Sequence, residues 1–260
     1  MTEAAALSAQ RLKGDVAVVT GAAHGIGYAI SRRLALEGAK VMMADVLADA
    51  VAASAEALRK ETGAEVATHV GDLSLESVVQ DLRLATRKAF GPASVLINNA
   101  GGGVLRPFLE HTAETLKTTL DRNLWTVLWC CRVFLPDMLE AGYGRIVNIG
   151  ADSVRNGLWQ HAAYNAAKGG MHGLTTGLAR EFATRGVTVN TVAPCAVNTA
   201  ALVNAQKANP AFVDQVLSVI PMGRAGEVDE IAAVTAFLAT RDAGFVTGQV
   251  ISVNGGSTML

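Results

Sequence analysis

The sequence predicts an α/β fold: one doubly wound domain with a seven-stranded parallel sheet and helices on both faces. Short β-branched runs alternate with longer helical patterns along the 260 residues, and the runs read as buried strands. No proline- or serine-rich linker and no short internal repeat divides the chain. Half of the residues are apolar, enough for one full core.

The strands are expected at VAVVT (16–20), KVMMAD (40–45), EVATHV (65–70), SVLINN (94–99), GRIVNIG (144–150), VTVNTVAP (187–194) and GQVISVNGG (248–256). Of the helices between them, the clearest carries Leu116, Leu120, Leu124, Val127, Leu128, Cys131 and Leu135 at three- and four-residue spacing and stops near Gly142. The rhythm breaks at 199–221, where helical pieces at ALVNAQKA and AFVDQVLSV stand between the sixth and seventh strands. A long excursion of that kind covers something, here a substrate. Residues 1–13 read as an N-terminal extension.

A formal net charge of -1, without a basic cluster or acidic tail, excludes nucleic acid and anionic membrane surfaces as expected partners and leaves a small molecule. Three cysteines, two of them adjacent at Cys130 and Cys131, make neither a disulfide framework nor a metal site, so no metal is expected. With no signal pattern at the N-terminus and no apolar run of roughly 18 residues, the protein is expected in the cytoplasm.

After the first strand comes TGAAHGIG (20–27), leading into a helix. Gly21 bends the chain, Gly25 lets the backbone approach a pyrophosphate, and Gly27 lets helix and strand pack closely; His24 and Ile26 lie in the same turn. Asp45 ends the second strand 18 residues past Gly27, where an acid accepts the ribose 2′-hydroxyl and repels a 2′-phosphate. None of Ala22, Ala23 and His24 supplies an arginine, so NAD is expected rather than NADP.

In NGLWQHAAYNAAKGG (156–170), Tyr164 and Lys168 stand four apart in a helix and share one face. A lysine ammonium and a positive nicotinamide ring would lower the phenol pKa, which suits Tyr164 to take a proton from an alcohol as hydride leaves. With INNAG (97–101) added, the ordered motifs TGxxxGIG, NNAG and YxxxK resemble those of the short-chain dehydrogenase/reductase family, from Gly14 to about Thr258. The resemblance implies a single Rossmann-type domain over 1–260, catalytic Asn123, Tyr164 and Lys168, and assembly as a homotetramer, which the apolar helix bearing Trp125, Trp129 and the cysteine pair also suggests. It places Asp72 and Leu73 at the adenine, Asn99, Ala100 and Gly101 beside the cofactor, and Pro194, Val197 and Thr199 along its nicotinamide end. Lys168 would hold the nicotinamide ribose, and Asn123 would orient a water behind it.

Three departures stand out: Cys195 after Pro194 where the family has glycine, VNGG near the C-terminus, and Ala151 where its catalytic serine stands, 13 residues before the tyrosine. If GADSV closes an extended segment, Ser153 lies on the same side as Ala151 and supplies the missing hydroxyl; Asp152 or no group at all are the alternatives. The expected pocket wall includes Val104, Leu105, Leu158, Trp159, Leu202 and Val203, suiting an apolar ring, with Arg155 and His161 as candidates to meet a carboxylate. A weaker resemblance points to the branch that oxidises cis-dihydrodiols of aromatic acids to catechols. The alternatives are a 3-oxoacyl or 3-hydroxyacyl thioester enzyme and a non-catalytic NAD-binding regulator.

Overall fold

The computed structural model describes residues 10–259. Its strands are β1 (Val16–Thr20), β2 (Lys40–Asp45), β3 (Val66–Val70), β4 (Val95–Asn98), β5 (Gly144–Ile149), β6 (Val187–Pro194) and β7 (Val250–Val253). They form one all-parallel sheet in the order β3-β2-β1-β4-β5-β6-β7. Strand order reverses between β1 and β4, so the carboxyl ends of these two strands open a crevice in which ligands bind.

Alternation along the strands feeds two cores. Val19, Val41, Met43 and Ile97 pack toward α1 (Gly25–Leu36), α2 (Ala48–Thr62) and α10 (Val228–Ala239) on one face. Val18, Met42, Leu96 and Ile146 pack toward α3 (Glu76–Phe90), α5 (Thr126–Ala141) and α7 (Ala162–Phe182) on the other. Burial on both faces explains the nearly unbroken apolar runs.

The expected long helix is three pieces: α4 (Ala113–Leu120), a π turn (Asp121–Trp125) and α5. Cys130 and Cys131 are buried within the domain, whereas Trp125 remains 43% exposed and stacks on Trp129 at 5.4 Å. The face available for assembly therefore carries the tryptophans without the cysteines. Part of the expected N-terminal extension, residues 1–9, lies outside the described residues. Residues 10–13 belong to the domain: Leu12 is fully buried and Arg11 pairs with Glu37 at 2.8 Å. Among the described residues no helix is long and apolar enough to cross a membrane.

Candidate active site

The glycine turn is fastened to the neighbouring strand end by Thr20, whose hydroxyl accepts the N–H groups of Asn99 (3.0 Å) and Ala100 (2.9 Å). Asn99 donates in return to the carbonyls of Thr20 (3.0 Å) and Gly21 (2.9 Å). Gly21 has φ +62°, and a Cβ there would lie 2.8 Å from the Ala100 Cα; one on Gly27 would lie 2.1 Å from the Gly21 oxygen. Both positions therefore require glycine. Gly25 differs, because beside it is open space bounded by the Thr199 methyl at 3.5 Å. That is the shape a pyrophosphate needs.

Asp45 accepts from the Ala23 N–H (2.9 Å) and the Leu47 N–H (3.1 Å), so the acid also braces the glycine turn. His24 is exposed at the start of α1; Asp72 is exposed beside buried Leu73, just past β3. Ile26, Asn99, Gly101, Pro194, Val197 and Thr199 line a cavity of about 400 Å³ at the carboxyl edge of the sheet. The donor set and the open glycine fit a nicotinamide dinucleotide, which the glycine turn, Asp45, Asp72, Asn99–Gly101, Lys168 and Pro194–Thr199 would hold.

Asn123 lies fully buried in the π turn, a helical irregularity common at functional sites. Its amide donates to the carbonyls of Thr119 (2.8 Å) and Gly102 (3.0 Å), and its oxygen accepts the Gly102 N–H (3.1 Å). The side chain thus clamps the loop after β4 to α4. That clamp is invisible in the sequence.

Tyr164 and Lys168 share the face of α7 turned to the cavity, with the Lys168 Nζ 5.8 Å from the tyrosine ring centre and donating to the Ile149 carbonyl at 2.7 Å. Burial pushes the Tyr164 phenol up to about 12 and the Lys168 ammonium down to about 7. Desolvation is the cause in both groups, and the lowering of the phenol is left to Lys168 acting together with a nicotinamide ring.

Ser153 does not stand on an extended segment. β5 ends at Ile149, Asp152 is already helical in conformation, and Ser153 opens the single turn α6 (Ser153–Asn156). Ser153 nevertheless lines the cavity together with Ala151, and its hydroxyl donates to the Asn165 Oδ1 at 2.6 Å. Asp152 turns the other way. Fully buried, it accepts from the hydroxyls of Ser252 (3.3 Å), Thr258 (2.8 Å) and Ser257 and so ties the loop to the C-terminal segment. An acid between two cavity residues and three late hydroxyls was the only signal of this anchor.

The expected substrate contacts separate. Arg155 donates to the Ser252 hydroxyl (2.7 Å) and the Val250 carbonyl (2.9 Å), which commits it to β7 and away from the cavity. Trp159 is 49% exposed and, like Val104 and Val203, does not line the cavity; the Val104 N–H instead points at Thr119. Leu105, Leu158, Leu202 and His161 do line it. The excursion folds into α8 (Ala200–Ala208) and α9 (Pro210–Ser218), which supply Leu202, Phe212, Val213 and Val216 as an apolar roof.

Comparison with known proteins agrees with this geometry. A family model described as enoyl-(acyl carrier protein) reductase matches residues 21–258. A 2,3-dihydroxy-2,3-dihydro-p-cumate dehydrogenase from Pseudomonas putida is 62% identical, over 96% of this chain and 96% of its own. A 1,6-dihydroxycyclohexa-2,4-diene-1-carboxylate dehydrogenase from Acinetobacter baylyi is 35% identical over 96% of this chain and 98% of its own. The crystal structure of levodione reductase superposes with a TM-score of 0.89 at 33% identity, covering 94% of this chain and 98% of that one. This chain's seven-stranded sheet, glycine turn and Tyr164–Lys168 pair agree with these matches, and the chain belongs to the short-chain dehydrogenase/reductase family, as an oxidoreductase.

Proposed function

We propose that this protein oxidises a cis-dihydrodiol of an aromatic carboxylic acid to a catechol, with NAD as hydride acceptor. The observation that carries the reading is the 62% identity, end to end, with a dehydrogenase of such a compound. The apolar cavity with Tyr164 and Lys168 on one wall suits a flat ring presenting one secondary alcohol. Asp45 at the end of β2, with no arginine in the glycine turn, favours NAD over NADP.

Bound NAD would supply the hydride acceptor and a positive ring that favours the phenolate of Tyr164. The protein's own residues do the rest. Tyr164 takes the alcohol proton at its phenolic oxygen, and Lys168 holds the ribose. Ser153 bonds the reacting oxygen by releasing Asn165, and the walls exclude water from the reacting carbon. Loss of hydride and proton leaves a ring ketone that tautomerises to the catechol, which draws the oxidation forward. With Arg155 held on β7 and no arginine among the described lining residues, the ring carboxylate would find no guanidinium partner in the cavity.

The family model's description keeps the thioester reading in contention. The test is a panel of 2,3-dihydroxy-2,3-dihydro-p-cumate, other cis-dihydrodiols, 3-hydroxyacyl thioesters and sugars, read by NADH absorbance, with Tyr164→Phe as a control that loses turnover. The carboxylated dihydrodiol is expected to turn over best; faster thioester oxidation would overturn the substrate assignment, and no turnover of any substrate would favour a regulator. Three free thiols agree with a reducing cytoplasm. The exposed Trp125, stacked on partly buried Trp129, agrees with a homotetramer, which light scattering checks.

A further inference from the structure

His161 stands at the start of α7, one turn before Tyr164, and the two rings meet edge to face at 5.8 Å. Its Nδ1 lies 2.6 Å from the Trp159 carbonyl oxygen. A carbonyl oxygen only accepts, so Nδ1 carries the proton and Nε2 is left with a lone pair. Nε2 has no hydrogen-bond partner among the described residues. The backbone is shaped around this contact: Gln160, between the two residues, has φ +62°, a left-handed conformation that costs a non-glycine residue on the order of 1 kcal/mol. Such strain persists where the surroundings demand it.

The surroundings also keep the ring neutral. Burial pushes the His161 pKa below its ordinary value. Besides His161, the titratable groups lining the cavity are Tyr164 and Lys168 on the same helix and Cys195 on the segment after β6; among the described residues no aspartate, glutamate or arginine lines it. An imidazolium would have no carboxylate to rest against.

We infer that His161 is the residue that recognises a vicinal diol: its neutral Nε2 accepts a hydrogen bond from the non-reacting hydroxyl while Tyr164 takes the proton of the reacting one. The inference rests on the dihydrodiol reading and deepens it. A single secondary alcohol leaves Nε2 without a donor, and a site built to pair a hydroxyl discriminates against the analogue lacking it. It also replaces the expected pairing of His161 with a carboxylate, which needs the ring protonated.

The experiment compares kcat/KM for a cis-dihydrodiol and for the same ring lacking the non-reacting hydroxyl, across pH 5 to 8, in the unmodified enzyme, His161→Phe and His161→Gln. Taking the ratio of the two substrates cancels effects on folding and on the shared chemistry of Tyr164. The unmodified enzyme should favour the diol by about tenfold or more, and the ratio should fall as pH drops through the His161 pKa, below about 6.5. His161→Phe should bring the ratio near one. His161→Gln, whose amide oxygen accepts and does not titrate, should retain part of the preference without its pH dependence. Diol oxidation with the same ratio in His161→Phe overturns this inference alone. So does a ratio that rises on acidification, since an imidazolium would then be the binding form. Absence of turnover of any vicinal diol by the unmodified enzyme overturns the inference together with the reading on which it rests.

Discussion

Lys168 should cost the fold stability that it returns as chemistry, and replacing it with methionine should make the protein inactive and more stable. The side chain is 3% exposed, no salt bridge pairs it, and burial lowers its pKa from 10.5 to about 7. At ~1.4 kcal/mol per pH unit, that depression corresponds to an upper limit of about 5 kcal/mol. Between about pH 7 and 10.5 the unfolded chain binds the proton that the folded protein lacks, so this group makes stability rise with pH across that window. The contribution is full above 10.5 and lost as pH falls through 7. Lys168→Met removes the buried amine and forfeits its hydrogen bond to the Ile149 carbonyl, worth about 1 kcal/mol. A net gain of roughly 2–4 kcal/mol at pH 7 is expected, shrinking toward pH 10. Urea unfolding of both proteins at pH 6, 7.5 and 9 measures it. A variant less stable than the parent at pH 7, with the same dependence on pH, would refute the reasoning.

Two further substitutions test the cofactor and the hydroxyl. Asp45→Asn should narrow the preference for NAD over NADP by removing the repulsive charge, while keeping an oxygen for the Ala23 N–H; titration calorimetry reads both affinities, and an unchanged preference would move cofactor selection to another residue. Ser153→Ala should lower turnover about 100-fold with little change in KM, because a bond to the reacting oxygen matters most in the transition state; unchanged turnover would leave Ser153 as a partner of Asn165 alone.

The sheet was legible because both of its faces are covered, which makes its inner strands apolar along their length; β1, β2 and β6 coincide with the expected bounds and the other four strands lie inside theirs. The glycine turn and the Tyr164–Lys168 pair were legible because their chemistry fixes residue type and spacing together. Arg155 was not. An arginine beside a pocket in sequence reads the same whether its guanidinium enters the cavity or crosses to β7, and only the partners Ser252 and Val250, nearly a hundred residues away, decide it. Ser153 reached the cavity for a reason that strand alternation did not supply, since one helical turn carries it there. The π turn at Asn123 escaped notice because its apolar spacing continues that of the helices on either side.

These misses share a physical cause. Helical periodicity and strand alternation describe a backbone at rest in its ordinary conformations, whereas the site is assembled from departures: a widened turn at Asn123, a left-handed Gln160, an amine at Lys168 and a carboxylate at Asp152 both taken out of water. Each is unfavourable alone, and the buried carboxylate is held by partners distant in sequence, three hydroxyls of the C-terminal segment. The last residues of the chain thereby set where Ala151 and Ser153 stand on the cavity wall. A substrate ring against that wall would be positioned by an anchor it never touches, so changes at Ser257 or Thr258 should act on turnover through the placement of Ser153 rather than through any contact of their own.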